Sequence, residues 1–310
     1  MAKIFSFINY KGGVGKTTTT YHVGCSLAYH HNKKVLLVDI DPQTNLTFLC
    51  VDYESWKNFK NRNGTILTLY QHYKDGKGLN VSRCIWQNLI GYDQFTKVNN
   101  IDLLPCDLDL LGEDIILRLS PLSLELSPFA RLKKEVQKSL KPYLFLKKIL
   151  NEVKERYDYI LIDCPPNLYM MTQNALTGSD YYIITTIPEY LSLIGLRILI
   201  RKVGEINQKI KQLAVFAGEK IRDVKLGGII FVKVRIGGRV ITHQHEGNIR
   251  SIKEEFRDIC FNTYTTELIG YSEAAEHRLP VWLANTNNAK RAARRLEYEE
   301  ITKEFLRRFS

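Results

Sequence analysis

Residues 11–18 read KGGVGKTT, two lysines around a run of glycines followed by two hydroxyl side chains. Glycines let successive backbone N–H groups turn into one concavity, the shape that cradles phosphate oxygens. In such a loop Lys16 reaches the β- and γ-phosphates, the Thr17 hydroxyl is a magnesium ligand, and Thr18 bonds on the α-phosphate side. A helix beginning here adds its unpaired amides and the positive end of its dipole. The strict form of the loop opens on glycine six residues before the lysine. Tyr10 stands at that position, and a second lysine, Lys11, opens the loop instead.

Three carboxylates belong with the loop. Asp39 and Asp41 lie in DIDPQTN, at the end of an apolar run, and Asp163 ends another in ILIDCPP. Two residues apart on a strand, Asp39 and Asp41 are expected to point to the same side. Magnesium takes oxygen ligands in an octahedron, keeps several waters, and is commonly held partly through carboxylates. Any one of these residues alone could be a strand-end cap. Three of them around a phosphate loop point to nucleotide hydrolysis.

These residues need a scaffold that brings strand ends together. KIFSFIN, KVLLVDID, YDYILID, YYIITTIP and KLGGIIFVKV are continuous apolar runs, as expected for strands buried on both faces of a parallel sheet. Helical patterns separate them, at 17–31, across 111–157 with breaks at Pro121, Pro128 and Pro142, near 191–211, at 245–259 and at 287–309. IDLLP adds a strand closed by Pro105, RIGGR a turn, and TTELI a short extended piece at 265–269. Within the polar, aromatic-rich stretch 51–100 only 65–73 is convincingly helical. Strands alternating with helices predict a doubly wound, mostly parallel twisted sheet with helices on both faces, as one α/β domain over residues 1–310.

Composition narrows the classes further. The chain has 310 residues, 45% apolar and 25% charged, which excludes collagen-like, coiled-coil and wholly disordered readings. No apolar stretch reaches the ~18 residues of a spanning helix, and the N-terminus lacks a signal-peptide cleavage pattern. A soluble, cytoplasmic protein is expected. Six scattered cysteines without a CxxC read as reduced core residues, and His243 and His245 as part of a polar loop rather than a metal site. The net charge is +11, concentrated after residue 200 with 21 basic against 14 acidic side chains, a balance that favours a polyanionic partner. Arg278, Lys290, Arg291, Arg294 and Arg295 lie in a stretch with no acidic residue. Lys290 with Arg294, and Arg291 with Arg295, are spaced to share a helix face, either a solvated one or one that binds nucleic acid. In the last helix Ile301, Phe305 and Phe309 form a stripe suited to packing on the sheet, or alternatively to a bilayer interface.

KGGVGKTT, VDIDPQTN and LIDCPP together resemble the deviant Walker A ATPases, the ParA/MinD family, and within it the Soj-like ParA partition ATPases. The similarity continues through IDLLPCDLDL, PEYLSLIGL at 188–196, LGGII at 226–230, and TTELI and EAAEHRLPV between 265 and 281. It implies a P-loop domain with an insertion around 51–100, a helical excursion around 111–150, and no helix-turn-helix ahead of the first strand. ATP and Mg²⁺ are the implied cofactors. The phosphates would be held by Lys11, Gly12, Gly13, Val14, Gly15, Lys16, Thr17 and Thr18.

By the same resemblance Lys11 crosses a dimer interface to the other subunit's phosphates, and Gly12 and Gly13 let the two loops approach. Asp41 positions the attacking water, Asp39 and Asp163 hold Mg²⁺ through water, and Pro188 and Glu189 contact adenine and ribose. Many members carry Asn or Thr after the late strand, where this chain has Lys233, Val234 and Arg235. The implied function is an ATP-bound homodimer that binds nucleoid DNA non-specifically and is released by slow hydrolysis. A ParB-like or adaptor protein would stimulate that hydrolysis, and the cargo would be a plasmid, a chromosome or another large body. The alternative is a MinD-like switch that binds membrane.

Overall fold

A computed structural model describes residues 1–91, 97–110, 129–238 and 240–310. Strand β1 (Lys3–Ile8) runs into the glycine loop and helix α1 (Lys16–Tyr29), which returns to β2 (Val35–Asp39). Short helices α2 (Asn45–Cys50), α3 (Tyr53–Asn63) and α4 (Ile66–Asp75) precede β3 (Ile101–Leu104). Helices α5 (Phe129–Leu140) and α6 (Phe145–Val153) lead to β4 (Tyr159–Asp163), and α7 (Met170–Gly178) leads to β5 (Tyr181–Thr186). The long α8 (Ser192–Ala217) connects to β6 (Lys225–Val234). A small hairpin, β7 (Ile236–Gly237) and β8 (Val240–Ile241), is followed by α9 (His243–Phe256) and β9 (Cys260–Thr266). Helices α10 (Gly270–Glu276), α11 (Asn287–Ala293) and α12 (Glu297–Phe309) close the chain.

Seven strands form one sheet in the order β3-β2-β4-β1-β5-β6-β9, every neighbouring pair parallel. Alternate side chains feed two core layers. Ile4, Ile8, Leu36, Val38, Ile160 and Ile162 pack with α6, α7 and α8 on one face. Phe5, Phe7, Leu37, Leu161, Ile183 and Ile230 pack with α1 and α12 on the other. Both faces are therefore apolar, which is why these strands read as unbroken runs. The order of connection reverses at β1, so the loop after β1 opens at the switch point of the sheet, between the ends of β4 and β5. A side chain at Gly24 would come within 2.6 Å of Leu37, so glycine there lets α1 lie close on the sheet.

The stripe on α12 is committed to the core. Ile301 and Phe305 are fully buried, and the rings of Phe305 and Phe309 lie 4.6 and 4.7 Å from that of Phe5. No described helix is long and apolar enough to cross a membrane.

The structure corrects several boundaries. Helix α3 was not expected, because a single side chain, Trp56, anchors it inward and so leaves no periodic signal. The expected helix at 245–259 stops at Phe256, and CFNTYTT, expected to be extended only from 265, is strand β9 from Cys260 onward. Where a plain turn was expected, Ile236–Gly237 pair antiparallel with Val240–Ile241. The expected helix 287–309 is two helices, separated at Leu296 by a left-handed residue with φ of 53°. His243 and His245 start α9 instead of lying in a loop. All six cysteines are free and buried, as expected. Pro121, Pro128 and the rest of 111–128 lie outside the described residues.

Candidate nucleotide site

The loop between β1 and α1 is shaped by Gly13 and Gly15, both left-handed with φ of 73° and 68°, where a side chain would be strained. Gly15 is the N-cap of α1, no side chain caps the helix, and its first turn holds no acidic residue. The amides of that turn are therefore left for an anion. Gly12, Gly13, Val14, Gly15, Lys16, Thr17 and Thr18 line one cavity of about 520 Å³, with Asp41, Gln43 and Lys233 also on its wall. Asn9 braces the loop, its Nδ2 donating to the Thr185 carbonyl at 2.7 Å and its Oδ1 accepting from the Lys11 N–H at 3.1 Å.

Lys16 is only 6% exposed, and its Nζ lies 3.5 Å from the Lys11 carbonyl. Burial pushes its pKa down, while Asp163 and then Asp41 hold it charged. An ammonium so placed is desolvated in advance of any anion entering the cavity, which strengthens its attraction for one.

The three carboxylates converge but differ in what they hold. Asp39 and Asp163 are direct neighbours across β2 and β4. Asp39 Oδ2 accepts from the Thr47 N–H at 2.8 Å and its hydroxyl at 2.7 Å, and Oδ1 accepts from the Asp41 N–H at 3.1 Å. It thereby pins the start of α2 to the strand. Burial raises its pKa to about 7 against those hydrogen bonds. Asp163 is fully buried with neither oxygen hydrogen-bonded, although Thr17 approaches closely enough to favour its charged form. Burial first, and then the charge of Asp39, push its carboxyl well above the usual range. Asp41 lies beyond the end of β2, in the turn, rather than on a common strand face with Asp39. Its Oδ1 accepts from the Gln43 N–H at 3.0 Å, and burial raises its pKa while Lys16 opposes the rise.

Two further cavities flank the loop. One of about 390 Å³ runs from Gly15 and Thr18 past Lys233 to Thr265, Glu267 and Ile269, at the ends of β6 and β9. The other, of about 440 Å³, is lined by Asn9, Lys11, Glu189, Arg235 and His245. Glu189 thus falls on the Lys11 side, away from the cavity that continues from Thr18, while the neighbouring Pro188 carbonyl accepts from Asn248 Nδ2 at 3.0 Å. Glu189 is ion-paired with Lys11 itself. Sequence reasoning missed Asn9, Gln43 and the Glu267 loop as lining residues. Asn9 stands two residues before the motif, and its amide was the available signal.

A protein-family model for an AAA domain matches residues 2–215. The chain is 31% identical to the sporulation initiation inhibitor protein Soj of Bacillus subtilis over 91% of each chain. It is 29% identical to the chromosome-partitioning ATPase Soj of Treponema pallidum over 99% of this chain and 98% of that one. The chain belongs to the ParA/Soj family. Solved structures under 25% identical share its fold. The ATP complex of a McdA variant from Cyanothece gives a TM-score of 0.68 at 22% identity, covering 98% of this chain and 96% of that one. A plasmid partition protein from Borrelia burgdorferi, bound to AMPPNP, gives 0.64 at 24% identity over the whole of both chains.

In this ParA-family chain the basic residues near the C-terminus are not one helical face. Lys290 and Arg291 sit in the last turn of α11, where cations complement the helix dipole, and the helix ends at Ala293. The Arg294 N–H still bonds the Lys290 carbonyl at 3.2 Å, but that of Arg295 bonds Ala292. Arg295 turns back to Thr266 at 3.3 Å and Glu297 at 3.8 Å. Arg278 lies beyond α10, with φ of 53° and its carbonyl accepting from the Tyr21 hydroxyl. Lys290, Arg291 and Arg294 are exposed and have no ion-pair partner among the described residues.

Proposed function

We propose that this chain is an ATP-switched partition ATPase whose nucleotide-bound dimer binds DNA and whose hydrolysis releases it. The observation that carries the reading is the arrangement of the two lysines, Lys16 buried inside the phosphate cradle and Lys11 58% exposed on its rim. One is placed to grip the chain's own triphosphate, and the other, held on the rim by its ion pair with Glu189, would exchange that partner for a second molecule's phosphates.

Gly12 to Thr18 bind the phosphates through backbone amides, and Lys16 neutralises the outer two. The base and ribose enter the cavity beyond Thr18, between Lys233 and the Glu267 loop, rather than beside Pro188 and Glu189. Asp163, buried with both oxygens unpartnered beside the Thr17 hydroxyl, is a donor set that suits a hard, oxygen-seeking cation. Thr17 would hold magnesium directly, with Asp163, and Asp39 through its less encumbered Oδ1, acting through water. Bound there, magnesium would supply charge neutralisation to the phosphate chain. Asp41, fixed by the Gln43 amide, orients the attacking water and accepts its proton. Lys11 of the second copy stabilises charge developing at the γ-phosphate, as an arginine finger does, an effect worth ~10³–10⁵ in rate.

The dimer presents Lys290, Arg291 and Arg294 twice, and contacts of this kind bind DNA without sequence preference, with Kd of ~10⁻⁴–10⁻⁶ M at physiological salt. A ParB-like or adaptor protein that completes the hydrolytic geometry sets the dimer's lifetime. The test is Asp41→Ala. It should bind ATP, lose turnover and remain a DNA-bound dimer, whereas brisk ATP hydrolysis by this variant would refute the assignment.

A further inference from the structure

Asp39 is held by a row of buried hydrogen bonds that leads away from the phosphates. Its Oδ2 accepts twice from one residue, from the Thr47 N–H at 2.8 Å and the Thr47 hydroxyl at 2.7 Å. A hydroxyl has one proton to give, and the carboxylate takes it, so the Thr47 oxygen is left to accept. It accepts from the Cys106 N–H at 3.0 Å, two residues beyond the end of β3. The Cys106 carbonyl accepts in turn from the indole Nε1 of Trp56 at 3.1 Å. Asp39, Thr47 and Cys106 have no exposed surface, and Trp56 is buried with them.

The row therefore runs from α3 through Cys106 and α2 to the carboxylate at the end of β2, each donor aimed at the next acceptor. Buried bonds in such a row polarise and fix one another. Its outer end is firmly seated. The rings of Phe48 and Tyr53 each lie 5.6 Å from that of Trp56, and the Lys60 ammonium lies 5.2 Å above it. Lys60 is itself tied to the buried Asp107 at 2.9 Å. At the inner end the Thr47 N–H would hold Oδ2 whatever the side chain. The hydroxyl is a second tether on the same oxygen, and two tethers fix the plane of the carboxylate. Oδ1, with the Asp41 N–H alone at 3.1 Å, is then the oxygen with a lone pair to spare.

We propose that Thr47 is a positioning residue that aims Asp39 Oδ1 at hydrated magnesium, and that Trp56 of α3 sets Thr47 through Cys106. This rests on the reading of Asp39 as a carboxylate that holds magnesium through water. It gives helix α3, inside the stretch 51–100, a part in metal binding without any contact to the nucleotide.

The test is metal affinity of the ADP-loaded full chain, read as Mn²⁺ binding by electron paramagnetic resonance and its displacement by Mg²⁺. Thr47→Val keeps the shape and removes the hydroxyl. It should weaken metal binding by about tenfold, the scale of losing a partner that orients a ligand, while ADP affinity in EDTA stays near the wild type. Thr47→Ser should restore metal affinity, and Trp56→Phe, which keeps a ring but loses the N–H, should show a smaller loss in the same direction. Added to Asp39→Asn, Thr47→Val should cost nothing further, because Thr47 acts through Asp39. If Thr47→Val binds metal like the wild type while Asp39→Asn does not, the positioning role falls and the magnesium reading stands. Equal losses in Thr47→Ser and Thr47→Val would mark a packing effect and overturn the role of the hydroxyl. Wild-type metal affinity in Trp56→Phe would overturn the link to α3. Wild-type metal affinity in Asp39→Asn would overturn the magnesium reading and this proposal together.

Discussion

At the scale of single residues, the proposed function gives the two lysines separable roles. Lys16→Ala should weaken ATP binding by roughly 100-fold, the order of losing charge-assisted bonds worth ~3 kcal/mol, as read by fluorescent-nucleotide titration. Lys11→Ala should leave monomer affinity near the wild type, because its side chain lies outside the cradle, and should lose dimerisation and turnover instead. Equal loss of ATP affinity in both variants would contradict that division. His22 gives a pH signature. It is fully buried on α1, with Nδ1 donating to the Thr18 carbonyl at 2.9 Å and Nε2 accepting from the Val281 N–H at 3.3 Å. This fixes the neutral form, and burial lowers the pKa to about 4. The unfolded chain, with histidine near 6.5, binds more protons between those values. Stability should therefore fall as pH drops from about 6.5 towards 4, by up to about 3 kcal/mol from this group. Thermal melts of the wild type and His22→Gln across that range should show the extra slope only in the wild type.

At the scale of elements, the strands were legible because burial on both faces leaves continuous apolar runs, and the phosphate loop because its glycines and lysines are contiguous. Helix α3 was not, since Trp56 alone faces inward. The division at Leu296 was not, since nothing in RRLEYEE marks a left-handed residue. The same lapse made Arg291 and Arg295 look like helical neighbours, although Arg295 is turned towards Glu297 and the β9 end. The position of Glu189 beside Lys11 illustrates a second limit, because the side of the loop on which a segment falls is set by strand order and not by sequence spacing. Helix α12 was open to two readings until the rings of Phe305 and Phe309 were placed against Phe5. Phe305→Ala should consequently cost about 3–5 kcal/mol in denaturant melts, as a fully buried ring does, whereas a lipid-binding tail would tolerate it.

At the scale of the whole molecule, one parallel sheet gathers the ends of β1, β2, β4 and β6 on a single edge, so that the glycine loop, Asp41 and Lys233 line one crevice. Its rim carries Lys11 and the exposed start of α8, and the cations at the end of α11 stand on a separate element. On the proposed function, nucleotide state and DNA affinity would be linked through assembly, since dimerisation would double a weak cationic contact and steepen its salt dependence. Reversing Lys290, Arg291 and Arg294 to Glu should abolish DNA binding and spare basal ATP turnover. Retained DNA binding would put the contact on another surface.

Whether the triphosphate switches this protein onto DNA is decided by its retention on non-specific duplex DNA, compared in ATP with Mg²⁺, in ADP and without nucleotide. Retention with ATP alone, lost as salt is raised, is the expected result. Equal retention in all three conditions, or none in any, would contradict the claim that the triphosphate switches this protein onto DNA.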